Sequence, residues 1–197
     1  MRAVKKVSER YLENVALYYL QRFASSAESL RRVLRRRVDR SARVHDTDRA
    51  EGNAMAEAVV ARMVAAGLVD DRAFAVARAA RLEARGGSPR LIAAHLRGKG
   101  IAPELVADAL ASLSERSADG HGDGAGGGAG EGRGDAALRA AVNLARRRRL
   151  GPFRPPEARA ASREKDLAAF ARAGFTYATA RRILDAATPE ELEGELD

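Results

Sequence analysis

Cysteine is absent from this chain of 197 residues, so neither a disulfide framework nor a thiolate metal site can form. The three histidines, His45, His95 and His121, stand far apart and without ligand spacing, which argues against catalytic zinc. Aromatic side chains are few, four tyrosines and five phenylalanines. Tyr11, Tyr19, Phe23, Phe170 and Phe175 fall on apolar helix faces, which leaves little for a base-stacking platform of the RRM or OB kind. No apolar run approaches the ~20 residues of a membrane span. The opening MRAVKKVSERYLENVA has no signal-peptide hydrophobic region. A cytoplasmic protein with no membrane partner is the expectation.

What is abundant is positive charge. Lysine and arginine total 35 against 27 acidic residues, a formal charge of +8. Five of the acidic residues (Glu190, Glu191, Glu193, Glu195 and Asp197) crowd into 189–197, so the remainder carries +13. Such an excess attracts polyanions: nucleic acid, an anionic membrane or an acidic protein groove.

Apolar residues recur with helical spacing along nearly the whole chain. Tyr11, Leu12, Val15, Tyr19 and Phe23 form one stripe, and Leu30, Val33, Leu34 and Val38 the next. Others run through Val59, Val60, Met63 and Val64, through Leu91, Ile92 and Leu96, and through Leu105, Val106, Ala109, Leu110 and Leu113. The last are Leu167 with Phe170, and Ile183 with Leu184. No segment alternates with period two, so the fold class is all-α. Punctuation agrees: Ser25 and Ser26 are placed to cap one helix, Gly67 to end another, Asp70 or Asp71 to cap the next. Ser88-Pro89 reads as a cap followed by a first-turn proline, Gly98 and Gly100 as stops, and Pro103 as a restart. Residues 118–135, ADGHGDGAGGGAGEGRGD, read as a flexible linker spanning ~21–25 Å as a random coil. The G-x-G-x-x-G spacing inside it (Gly122, Gly124, Gly127) follows no strand and marks no nucleotide site.

Self-similarity carries more information than any of these. Residues 88–110 align with 162–184 at an offset of 74, setting Leu96 on Phe170, Gly100 on Gly174 and Leu110 on Leu184. Residues 26–38 fit the same pattern at an offset of 62, setting Ser26 on Ser88 and Leu34 on Leu96. The expectation is three tandem three-helix modules in an elongated arrangement, at 11–68, 69–117 and 136–188. A tail at 1–10, the glycine linker at 118–135 and an acidic tail at 189–197 complete the chain.

With these elements in this order, the sequence resembles the RecX family. The resemblance rests on Ala16-Leu17-Tyr18-Tyr19-Leu20, Arg22-Phe23-Ala24-Ser25-Ser26 and Leu30-x-x-x-Leu34. It continues through Gly67-Leu68-Val69-Asp70-Asp71-Arg72-Ala73-Phe74-Ala75, Ser88 to Leu96, Lys99-Gly100-Ile101 and Leu110. It departs where the first repeat ends in Arg37-Val38 instead of Lys-Gly, in an extra stretch around 39–54, and in the glycine linker. The resemblance implies a non-enzymatic monomer that binds the RecA recombinase filament and lowers its ATPase and strand-exchange activity, so affecting recombinational repair and the SOS response. It also implies no cofactor, no metal and no catalytic residue.

The candidate contact residues are basic. Arg31, Arg32, Arg35, Arg36 and Arg37, with Arg40 beyond them, follow an apolar set on one helix. Arg31/Arg35 and Arg32/Arg36 are i,i+4 like-charge pairs, destabilising until an anion approaches. Arg146, Arg147, Arg148 and Arg149 end a later helix, where helix-dipole complementation is the alternative role. Smaller sets are Arg90, Arg97 and Lys99, and Arg172, Arg181 and Arg182. A merely solvated face is the competing reading of every such run. Contact with single- or double-stranded DNA would run through phosphates and weaken steeply with salt. The rival function is a helix-turn-helix protein acting directly on DNA. Against it, the third helices open with Ala102-Pro103-Glu104 and Thr176-Tyr177-Ala178, a poor reading head. Adjacent Asp70 and Asp71 have no nucleophile or histidine beside them, so they read as helix caps, not as an acid/base pair. The acidic tail could compete with a partner for the arginines.

Overall fold

The computed structural model describes residues 4–45, 47–118 and 131–194, and among them it is entirely helical. The helices are α1 (Glu9–Leu20), α2 (Ala27–Ala42), α3 (Arg49–Ala65), α4 (Asp71–Glu83), α5 (Pro89–Gly98) and α6 (Pro103–Ala118). They continue with α7 (Glu131–Arg148), a 3-10 turn at Gly151–Phe153, α8 (Pro156–Arg172), α9 (Tyr177–Asp185) and α10 (Pro189–Gly194). The fold is all-α with repeated three-helix modules. The chain divides into two compact units, Met1–Ala75 with Arg97–Val106, and Val76–Leu96 with Ala107–Asp197.

In the first unit α1, α2 and α3 pack on one another. Ser8 starts α1 by accepting the Tyr11 amide at 3.3 Å, and Ser26 starts α2 by accepting the Ser29 amide at 3.1 Å. Leu30, Leu34 and Val38, spaced by four, put one edge of α2 wholly out of solvent against Leu12, Ala16, Val59 and Met63. Each large aliphatic so buried contributes ~1.5–3 kcal/mol. Gly52 stands inside α3 because a Cβ there would lie 2.6 Å from Val38 Cγ1; close approach of α2 and α3 needs the missing side chain. Two neighbouring carboxylates at the start of α4 serve different helices. Asp70 accepts the Ala73 amide of its own helix at 2.9 Å, whereas Asp71 accepts the Ala27 amide at the start of α2 at 2.8 Å. Both are caps.

In the second unit α9 packs on α7 and α8. Its core holds Leu144, Val142, Phe170 and Ile183, with the Phe170 and Phe175 rings edge to face at 5.9 Å. Asp166 sits in this core at 1% exposure, at the position where the repeat alignment has Ile92. Burial of its charge is offset by the Gly151 amide at 3.0 Å and by Arg154 at 2.9 Å, which fix the turn after α7.

The repeat reappears as a repeated contact. Ser26 donates its hydroxyl to the Lys99 carbonyl at 2.7 Å; Ser88, its equivalent, donates to the Gly174 carbonyl at 2.8 Å. The aligned glycines Gly100 and Gly174 both sit at positive φ, +76° and +83°. A Cβ on Gly100 would overlap Glu28 Cβ, and one on Gly174 would lie 2.7 Å from Leu91 Cβ and Ser88 Oγ. Each seam thus joins a serine at the head of one middle helix to the glycine turn ending the next.

Within the stretch 118–135, Ala118 closes α6, residues 119–130 lie outside the described residues, and α7 opens at Glu131. The helix therefore takes in five residues that composition alone assigned to the linker. Adding a residue to an existing helix avoids the nucleation step, and each glycine costs only ~1 kcal/mol. Within 189–197, α10 is helical and Leu192 lies in the core at 1% exposure, while 195–197 lie outside the described residues.

Candidate functional site

The arginine-rich helix α2 has two halves of different character. In the first half, Arg31 donates through Nε to Glu57 at 2.8 Å and through Nη1 to Glu28 at 2.6 Å. Arg32 reaches the other Glu28 oxygen at 2.9 Å and the Gly98 carbonyl at 2.9 Å, and Arg35 reaches Glu57 at 3.1 Å. The hydrogen bond from Arg31, opposed by burial and assisted by Arg32, holds the Glu28 carboxyl below its ordinary range. The same network, led by Glu57 and then Glu28, raises Arg31 further. The like-charge argument drawn from Arg31/Arg35 and Arg32/Arg36 is thereby corrected: Glu28 and Glu57 stand among these guanidinium groups and neutralise most of the first half.

The second half is different. Arg36 and Arg40 are exposed and Arg37 half-buried, and exposed Arg43 follows at the helix end. None of the four has an ion-pair or hydrogen-bond partner among the described residues. Asp39 is the one carboxylate within this stretch, and it forms no ion pair with them. Exposed Val44 adds an apolar edge at 60%. Four cations against one anion on a face of two turns can take phosphates or carboxylates without first breaking an internal bond. Arg97 and half-buried Lys99 belong to the same unit, and the Gly98 and Lys99 carbonyls tie their segment to the first half of α2.

The second unit carries the other basic residues. Arg146 pairs with Glu193 and lies 5.9 Å from the centre of the Phe153 ring; Arg147 donates to the Ala84 carbonyl. Arg148 and Arg149 are exposed without a partner among the described residues, Arg149 ending the helix in the left-handed region at φ 52°. Arg181 pairs with Asp185 at 3.0 Å, and Asp185 also binds Arg163; the hydrogen bond from Arg163, then that from Arg181, lowers the Asp185 carboxyl. Arg182 is exposed and engaged. Arg90 lines a groove of about 340 Å³ with Leu91, Ala94, Ala171, Gly174 and Phe175, and exposed Arg172 follows Ala171.

Residue pattern alone overlooked Arg43, which extends the free set, and misplaced Phe23. Helix α1 stops at Leu20, so Phe23 lies beyond it on a turn and is 56% exposed instead of buried. Among the described residues no group of three or more His, Asp or Glu is placed to hold a metal ion, and no helix is long and apolar enough to cross a membrane.

A family model for the second three-helix domain of RecX matches residues 70–110. The regulatory protein RecX of Myxococcus xanthus is 42% identical over 182 residues, covering 92% of this chain and 88% of the relative. That of Agrobacterium fabrum is 28% identical over 183 residues, covering 93% and 86%. A crystal structure of regulatory protein RecX superposes with a TM-score of 0.52 at 21% identity, covering 90% of this chain and 72% of that one, which supports the fold. With repeated helical triplets, a RecX domain match and a relative 42% identical over most of both chains, this chain belongs to the RecX family of regulatory proteins.

Proposed function

We propose that this regulatory protein, which is not an enzyme, acts as a monomer in the cytoplasm by binding the RecA filament and restraining its ATPase and strand-exchange activity. The observation that carries the reading, beside family membership, is the free guanidinium set Arg36, Arg37, Arg40 and Arg43 on α2. A filament of protein and DNA offers carboxylates and phosphates at regular intervals, and an unpaired basic face meets either at little internal cost. Arg148, Arg149, Arg90, Arg97 and Arg172 are the further free cations available to such a polymer, so the modules at 11–68, 69–117 and 136–188 each contribute contacts. Arg31, Arg32 and Arg35 belong instead to the scaffold, engaged by Glu28 and Glu57. Direct DNA contact in this reading is phosphate contact, with each neutralised phosphate of duplex adding ~0.9 to the salt slope.

The test is RecA ATPase on single-stranded DNA, with the intact chain and with Arg36, Arg37, Arg40 and Arg43 changed together to Gln. The intact chain should suppress turnover in a dose-dependent way, and the variant should need at least about ten-fold more protein, as when several charged contacts of 0.5–1 kcal/mol are lost. Undiminished suppression by the variant removes the second half of α2 from the mechanism. No suppression by the intact chain removes RecA.

A further inference from the structure

Helix α1 presents a second face, separate in kind from the arginines of α2. Arg10, Asn14 and Tyr18 follow one another at intervals of four, so they lie in a row along the helix, and all are exposed. Arg22, on the turn after the helix, places its guanidinium carbon 4.3 Å from the centre of the Tyr18 ring. Phe23 follows, with its ring 5.3 Å from that of Tyr19. Tyr18 and Phe23 are 58% and 56% exposed, so two of the three exposed large aromatics of the described chain stand within five residues. Burying neither ring in a molecule with so few aromatics leaves apolar area in water that the fold does not use.

The charge on this face is also one-sided. The helix has two carboxylates, and Glu9 is held by Arg62 of α3, with Glu13 acting on the same guanidinium. Arg10 and Arg22 have no carboxylate partner among the described residues. A row of cations, an amide and an aromatic ring that is largely exposed and covered on one face by Arg22 matches one kind of polymer better than others. Duplex DNA hides the faces of its bases and could use only the arginines. A single strand offers base faces for stacking and phosphates between them.

We propose that this face of α1 is a platform for single-stranded nucleic acid, on which an unpaired base stacks on the Tyr18 ring opposite Arg22 while Arg10 and Arg22 meet the flanking phosphates. Asn14 is within reach of the base edge, and Phe23 offers a second ring beyond Arg22. The platform does not rest on the RecA reading, and it supplies what the basic half of α2 lacks: discrimination between single and double strands. The signal in the sequence was the Arg10, Asn14, Tyr18 and Arg22 spacing, masked because Tyr19 and Phe23 share the apolar period.

Binding of labelled oligothymidylate to the intact chain, followed by fluorescence anisotropy, tests it beside an abasic strand and a duplex of equal length. Tyr18→Ala should weaken oligothymidylate binding about ten-fold or more, the usual loss of one stacked base, with the abasic strand and the duplex unaffected. Tyr18→Phe should retain binding, and Arg10→Gln should lower the salt slope by ~0.7 on the single strand. Tyr18 is largely exposed, so a thermal melt of the alanine variant should match the intact protein. Equal losses on all three ligands, no loss for Tyr18→Ala, or no binding by the intact chain overturns the proposal. So does a Tyr18→Ala variant that binds the strand normally but no longer suppresses RecA, which would make the face a protein contact.

Discussion

At the first seam Ser26 donates to the Lys99 carbonyl beside Glu28, Arg31 and Arg32, whereas at the second Ser88 donates to the Gly174 carbonyl beside Leu91, Ala171 and Phe175. The donor hydroxyl and the left-handed glycine are the same, and the acceptor shifts by one residue, from the carbonyl before the glycine to the glycine's own; the company they keep differs more. Under the alignment Glu28 corresponds to Arg90, so the network that neutralises half of α2 has no counterpart where the repeat recurs. The comparison separates what the repeat demands from what one copy adds. Backbone geometry and a buried hydroxyl are demanded; carboxylate–guanidinium pairing is local to the first unit.

The largest effect should come from filling the glycines. Gly100→Ala and Gly174→Ala each combine a left-handed backbone, ~1–2 kcal/mol for an L residue, with overpacking of ~1–3 kcal/mol against Glu28 or Leu91. Gly67→Ala is the control, because Gly67 has φ +68° but nothing within 4 Å of a Cβ. Urea unfolding should show the two seam variants losing about 2–4 kcal/mol and the control only ~1. Equal losses at all three would mean that the seams contribute strain relief alone and no close packing.

Next come the serines. Ser26 and Ser88 are at 0% and 2% exposure, and each also accepts the amide three residues on in its helix. Alanine at either should cost ~1–2 kcal/mol by removing a cap and leaving a carbonyl without its donor. If the ion pairs around the first seam hold it independently, Ser26→Ala will cost less than Ser88→Ala in the same urea titration. An equal cost would show that Glu28 and its arginines do not reinforce the seam.

How much of this was legible in the sequence depends on distance along the chain. Ser88-Pro89, Gly100 and Pro103 mark helix ends through bonds that span three or four residues, and each stands where the pattern places it. The seams were half legible: the offsets of 62 and 74 aligned the serines and the glycines but could not say that they touch. The neutralisation of Arg31 and Arg35 was not legible, because Glu57 arrives on α3, 26 and 22 residues away. Asp166 was readable in principle, as a carboxylate in a core column occupied by Ile92. Leu192 was hidden by the acidic composition around it, although Thr188-Pro189 followed by Glu190 and Glu191 is a helix-start pattern, with the Glu191 amide on Thr188 Oγ1 at 3.4 Å.

The smallest effect concerns acid. Glu28 is charged more readily in the folded chain than in the unfolded one, since Arg31 and Arg32 bind its ionised form. A carboxyl with a depressed folded pKa contributes stability that is present above its unfolded value, ~4.3, and lost as pH falls through the folded value. The first unit should therefore lose on the order of 0.5–1 kcal/mol on acidification below that range through this group. Glu28→Gln, nearly the same shape against Gly100, should remove that loss at the price of lower stability near neutrality, where Arg31 keeps only Glu57. The second seam, with Arg90 in the equivalent place, has no such carboxyl to protonate. Urea midpoints of Glu28→Gln and the intact chain should therefore differ near neutral pH and converge in acid. Parallel curves at every pH would show that Glu28 acts by packing on the Gly100 turn and that its charge adds nothing to the seam.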